Sequence, residues 1–347
     1  MKFSVAFAII TGIGLLLSAG VRQARAWPPE VGPELEFTNS DITRAWERQA
    51  NPDMILNGTI SGYQIKFKDR VVALCPDCVI TQVSDKYGQN VFRVTLEGGW
   101  YFNITMDPGV IEITSKPIPA SDLSDDAKRE TMQKLIWGAA AQLDLHPDTA
   151  GHLNFGIEST FGEDALLFRN FFVDYLNHVG LVGGAAGYRD DGNAPHPELL
   201  PVSQRQALKS IFADFDPKTQ TIQDLAKSIY TKVYFKSYKF GGSDGEPAEK
   251  YQAVNISSLV NMDHGPGWPR LELRSTTMEN SAHELELLTK LYVARIEYLK
   301  KIKTPIQYTA DTRFNNGKYA GRKELLVKDF HDYVVESGLD WNDYRTF

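Results

Sequence analysis

Short stretches of alternating apolar and polar residues recur along this chain, and the alternation predicts strands, because residues i and i+2 of a strand share a face. Leu35 and Phe37 alternate with Glu34 and Glu36, Leu153 and Phe155 with His152 and Asn154, and Leu271 and Leu273 with Arg270, Glu272 and Arg274. Glu112 stands between Ile111 and Ile113, the one polar residue in an apolar stretch. A sheet with one apolar face and one face of carboxylates, a histidine and arginines is not a packing solution. It has the chemistry of a site for divalent metal and phosphate.

The same patterning predicts the other elements. Strands are expected at 34–38, 59–67, 70–74, 78–83, 91–96, 100–106 and 110–114, separated by turn signals such as Asn57-Gly58 and Pro76-Asp77. From Ser124 to Leu145 the apolar positions move to helical spacing, with Asp125 and Asp126 in the first turn. A strand follows at 151–157, then helices near 163–178, 203–213 and 222–234, a strand at 269–275, and helices at 281–302 and 322–336. Strands far apart in sequence and joined by helices predict an α+β fold. Its sheet is expected to be mixed or antiparallel, with helices on one face and the polar stripe on the open one.

Composition adds limits. The 347 residues carry a formal net charge of −7 with no basic block, which argues against nucleic acid as the main partner. Hydrophobic residues at 42% and aromatic residues at 11% are ample for a core. Residues 1–26 read as a signal peptide: Lys2, an apolar run from Phe3 to Leu17, then Ala24-Arg25-Ala26 before Trp27. This predicts a secreted or periplasmic protein. The alternative is an uncleaved N-terminal membrane anchor, since the run is close to the roughly 20 residues that span a bilayer. The rest, 27–347, reads as one catalytic domain with a helical C-terminal extension from about 303. Cys75-Pro76-Asp77-Cys78 fits a small disulfide across a hairpin turn in an oxidising compartment, with free thiols or a redox or metal pair as alternatives. Asn57, Asn103 and Asn255 each begin an Asn-x-Ser/Thr sequon.

Each polar segment also has a plain reading. Glu34-x-Glu36 on a strand is commonly a solvated face, Asp107-Pro108-Gly109 a tight turn, His152 a hydrogen-bonded strand histidine, and Arg270-x-Glu272-x-Arg274 an ion-pair ladder of little energetic worth. Against that, two carboxylates on one face repel unless a cation lies between them, and hard oxygen ligands suit Mg²⁺ or Mn²⁺. A carboxylate hemmed in as Glu112 is needs a partner or a metal. Neutral His152 is a possible ligand, Asn154 offers an amide to a substrate or phosphate oxygen, and arginine clamps phosphate bidentately. The chain has no P-loop, no dinucleotide-binding glycine fingerprint and no nucleophile elbow.

In order and content these segments resemble the carboxylate–amine ligase superfamily with the glutamine-synthetase catalytic fold, closest to its amidoligase and glutamate–cysteine ligase-like branches. The resemblance rests on five short motifs: Glu34-Leu35-Glu36, Asp107…Glu112…Ser115-Lys116-Pro117, Gly151-His152-Leu153-Asn154, Tyr251-Gln252-Ala253-Val254-Asn255, and Arg270 to Arg274. The glycine directly before His152 departs slightly from the family spacing. The resemblance implies the curved, mostly antiparallel form of the sheet. It also implies ATP-dependent amide or peptide bond formation through an acyl phosphate, with two divalent ions, Mg²⁺ or Mn²⁺, bridging the phosphates. It implies Glu34, Glu36, Glu112, His152 and Glu272 as metal ligands. Arg270 and Arg274 would neutralise the transferring phosphoryl group with Asn154 beside them, and Lys250 and Asn255 would meet nucleotide or substrate. Asp107 is left between a ligand and a turn former. The partners implied are small-molecule or peptide carboxylates and amines.

An exported chain meets little ATP, so three readings stand. One is a ligase that ATP reaches in an unusual setting. Another is a different reaction on the same metal site, such as phosphate or amide hydrolysis. The third is a non-catalytic module binding peptide or cell-wall-like ligands on the same fold. The loops 180–198 and 240–249 are expected to select the substrate.

Overall fold

The computed structural model describes residues 29–48, 58–84, 90–107, 109–182, 201–234, 252–260, 268–276, 279–309 and 323–347. The N-terminal segment, Lys250, and nearly all of the two expected substrate loops lie outside them. Among the described residues no helix is long and apolar enough to cross a membrane.

In chain order the elements are β1 (Glu30–Thr38), α1 (Ser40–Glu47), α2 (Gly58–Leu74), β2 (Val79–Ser84), β3 (Asn90–Thr95), β4 (Tyr101–Asp107), β5 (Val110–Ser115) and β6 (Ile118–Pro119). Then come α3 (Asp126–Met132), a π-type turn at Gln133–Trp137, α4 (Gly138–Ala141), β7 (His146–Gly156), α5 (Ile157–Thr160), α6 (Ala165–Asn177) and α7 (Val179–Val182). The described chain closes with α8 (Val202–Asp214), α9 (Ile222–Lys232), β8 (Val254–Asn255), α10 (Ser257–Val260), β9 (Arg270–Thr276), α11 (Ala282–Leu299) and α12 (Lys323–Glu336).

The strands form one sheet in the order β2-β3-β4-β5-β1-β7-β9-β8, with β6 paired to β1. Every pairing is antiparallel. The fold is therefore α+β with an open antiparallel sheet, as the alternation predicts. Leu35, Phe37, Ile111, Ile113, Leu153, Phe155, Leu271 and Leu273 are each 1% exposed or less, and the helices cover their side of the sheet. Phe37 lies 6.1 Å from Phe67 of α2 and 6.5 Å from Trp137 of the π-type turn. Phe155 lies 6.3 Å from Phe171 of α6 and 6.0 Å from Tyr292 of α11. Burying a side chain of this size contributes roughly 1.5–3 kcal/mol, so the apolar half of each alternating strand fixes which face is left open.

Two expectations are corrected. Residues 59–67 and 70–74 are not strands but the single helix α2. Its buried positions, Ile60, Gln64, Phe67 and Val71, fall at helical spacing. Gln64 interrupts the apolar stripe but is satisfied, donating to the carbonyls of Asn90 and Ile104 at 2.8 and 2.9 Å. The Cys75–Cys78 disulfide forms, and it joins the end of α2 to the approach to β2 rather than bridging a hairpin.

Candidate active site

The open face is built from rungs across the paired strands. Glu36 stands opposite Glu112, and Glu34 opposite His152. Glu272 stands opposite Asn154 on one side and Asn255 on the other. Seven side chains separated by up to some 240 positions thus converge because antiparallel register carries each to the same face.

They gather into two clusters. Ligand atoms of Glu34, His152 and Glu272 lie within 4.8 Å of one another, and so do those of Glu36, Asp107 and Glu112. Glu34 and Glu36 are two residues apart on one strand face, which sets the two centres about 7 Å apart along β1. Asp107 therefore belongs with Glu36 and Glu112: the β4–β5 hairpin returns the chain so that the end of one strand faces the start of the next.

The first cluster is braced on every side. His152 Nδ1 and Glu34 Oε2 are 3.0 Å apart, and Glu272 Oε1 lies 3.7 Å from the same nitrogen. Asn154 Nδ2 donates to Glu34 Oε1 at 2.9 Å and to the Gly32 carbonyl at 3.0 Å, while Arg270 Nε donates to Asn154 Oδ1 at 2.7 Å. Asn255 Nδ2 donates to Glu272 Oε2 at 2.8 Å, and Arg274 Nη1 to Glu272 Oε1 at 2.5 Å. Asn154 thus divides its amide hydrogens between the Glu34 carboxylate and the β1 backbone, and Asn255 spends one on the Glu272 carboxylate. Burial alone would raise the Glu34 pKa, but His152, with Arg270 and Arg274 behind it, holds it at about 2. Burial and Arg274 push the His152 pKa down, and Glu34 and Glu272 outweigh them, leaving it above the usual imidazole value.

The second cluster has the opposite electrostatics. Burial, followed by the charges of Glu34, Asp107 and Glu36, drives the Glu112 pKa well above the carboxylate range. The Thr105 hydroxyl, donating to Glu112 Oε1 at 3.1 Å, counters only part of this. Glu36 is pushed up to about 7, first by burial, with repulsion from Asp107 and Asp148 only partly offset by His152 and Arg274. Carboxyls crowded out of water in this way hold protons until a cation replaces them. All-carboxylate oxygen donors here, and two carboxylates with an imidazole in the first cluster, fit Mg²⁺ or Mn²⁺.

Of the residues singled out in the sequence, Glu34, Glu36, Glu112, His152, Asn154, Asn255, Arg270, Glu272 and Arg274 share this face, and Lys250 lies outside the described residues. Sequence reading missed Thr105 and Asp148. Thr105 was legible, since it lies two residues from Asp107 in β4. Asp148 was not, because it sits where the β1–β7 register shifts opposite Glu36, and a bulge breaks simple alternation. Two of the sequons lie in this sheet, Asn103 half-buried on the open face and Asn255 buried.

No family model matches the sequence, and no curated protein matches it. Among solved structures the chain is similar to the complex between prokaryotic ubiquitin-like protein Pup and its ligase PafA, with a TM-score of 0.31 at 9% identity. The match covers 86% of this chain and 51% of that one, so it spans about half the length of the solved chain.

Proposed function

We propose that this protein is a carboxylate–amine ligase that uses ATP and divalent metal and works through an acyl phosphate. The observation that carries the reading is the pair of adjacent acidic clusters on one open sheet face, with Arg270 and Arg274 at their edge. Glu34, His152 and Glu272 would hold one cation and Glu36, Asp107 and Glu112 the other. Two such ions supply charge neutralisation for the phosphate oxygens during transfer. Among the described residues the Arg270 guanidinium bonds only Asn154, and its other N–H groups would meet those oxygens. Arg274 neutralises Glu272 and adds positive potential beside it. Asn154, Asn255 and Thr105 fix the carboxylates in place, so that little reorganisation is needed when charge develops.

The substrate carboxylate oxygen forms a bond to the γ-phosphorus as the bond to ADP breaks. A neutral amine then attacks the acyl carbon, phosphate leaves with the C–O electron pair, and the amine's extra proton passes to solvent. Under this reading ADP release by purified residues 27–347 requires Mg²⁺, an acid and an amine together. It falls to background in Glu34→Ala/Glu272→Ala. Amide or phosphate hydrolysis that proceeds without nucleotide would replace the ligase reading with a metal-dependent hydrolase.

A further inference from the structure

The sheet ends at β2, and no other described strand pairs with its outer edge. Val79 to Ser84 contain neither a charge nor a proline, although exposed edges in soluble proteins are normally blunted by one or the other. Val79 is 60% and Val83 37% exposed. Among the described residues β2 pairs only with β3. The open-face side of this edge continues directly into the candidate active site. Thr81 stands opposite Arg93, Arg93 opposite Asn103, Asn103 opposite Thr114, and Thr114 opposite Glu34. Arg93 Nε donates to Asn103 Oδ1 at 3.0 Å, and its guanidinium lies 4.1 Å from the Tyr101 ring centroid. Lys116 Nζ lies 6.0 Å from the centroid of the same ring. Among the described residues neither cation has a carboxylate partner within ion-pair distance, so two cations stand between the edge and the acidic clusters.

We infer that β2 is a docking edge for an extended acidic peptide, which adds to the sheet as a further strand. Main-chain hydrogen bonds would give the affinity, and alternate side chains would meet Val79 and Val83 on the open face. A second copy of this chain is a poorer occupant, because six residues of edge pairing fall short of the roughly 1,000 Å² a stable interface needs. From a strand added outside β2 to β1 is five strand spacings, roughly 24 Å, which about seven extended residues cover. A peptide anchored at the edge can therefore lay an acidic tail past Arg93 and Lys116 to the clusters. Only this last step, which makes the peptide the acid substrate, rests on the ligase reading.

The test is titration of the full chain, without nucleotide or metal, with an acetylated octapeptide alternating valine and glutamate. An analogue N-methylated at every second residue and a lysine-for-glutamate analogue serve as comparisons. The inference expects binding that weakens about tenfold or more with either analogue and in Val79→Glu/Val83→Glu, whose substituted positions are exposed. It also expects binding unchanged in Glu34→Ala/Glu272→Ala, so it stands or fails apart from ligase activity. Equal affinity for the N-methylated analogue, no binding up to about 1 mM, or loss of binding in the cluster variant would overturn it. So would a concentration-dependent dimer that Val79→Glu/Val83→Glu abolishes, since that puts a second copy on the edge.

Discussion

Glu36 faces Glu112 across a pair of antiparallel strands, with Asp107 within ligand distance of both. Its pKa of about 7, against 4.5 for a free glutamate, means that the native state keeps a proton the unfolded chain has released. Such a group contributes stability that is fully present below pH 4.5 and is lost as pH rises through about 7. The loss amounts to about 3 kcal/mol at most. Urea melts of metal-free protein should therefore show a falling midpoint across that window, and Glu36→Gln should flatten the fall. A midpoint that rises over the same window, or a variant that follows the parent, would show that Glu36 is not held protonated. Glu34, Glu36, Glu112, His152 and Glu272, the ligands that the family resemblance implies, could be placed on one face from the sequence because each lies in an alternating strand. Asp107 was ambiguous because a turn-forming aspartate and a ligand aspartate look alike until the hairpin is closed.

At the scale of elements, α2 shows where pattern reading fails. Its β-branched residues (Thr59, Ile60, Ile65, Val71 and Val72) favour strand locally, yet tertiary packing against Phe37 selects helix. The buried, hydrogen-bonded Gln64 hid the helical period further. The clamp on α12 is another element-level feature. Asp329 Oδ2 accepts from the Gly180 backbone N–H at 2.9 Å. A Cβ at Gly180 would run into the Leu326 carbonyl and lie 2.9 Å from the Phe330 nitrogen. Backbone cannot rotate aside as a side chain can, so Gly180→Ala should destabilise the protein by about 1–3 kcal/mol. The loss should appear first as faster amide exchange in 323–336. Unchanged exchange there would mean that the two helices do not approach so closely.

Across the whole molecule, the helix-covered face and the open face divide the chemistry. The apolar half of each alternating strand holds the sheet to α2, α6 and α11, and the polar half assembles the two clusters. That division was readable from the sequence, as was the antiparallel α+β class. The grouping of these side chains into two clusters was not, because it depends on register: a slip of one residue in β1 against β5 or β7 would turn Glu34 and Glu36 into the core. We propose that the clusters are two neighbouring cation sites. Titrating metal-free protein with Mn²⁺ and counting bound ions tests it most directly. The prediction is two ions per chain, falling to one in Glu36→Ala and to one in Glu272→Ala. Failure to bind Mn²⁺, or a stoichiometry that neither substitution changes, would contradict it.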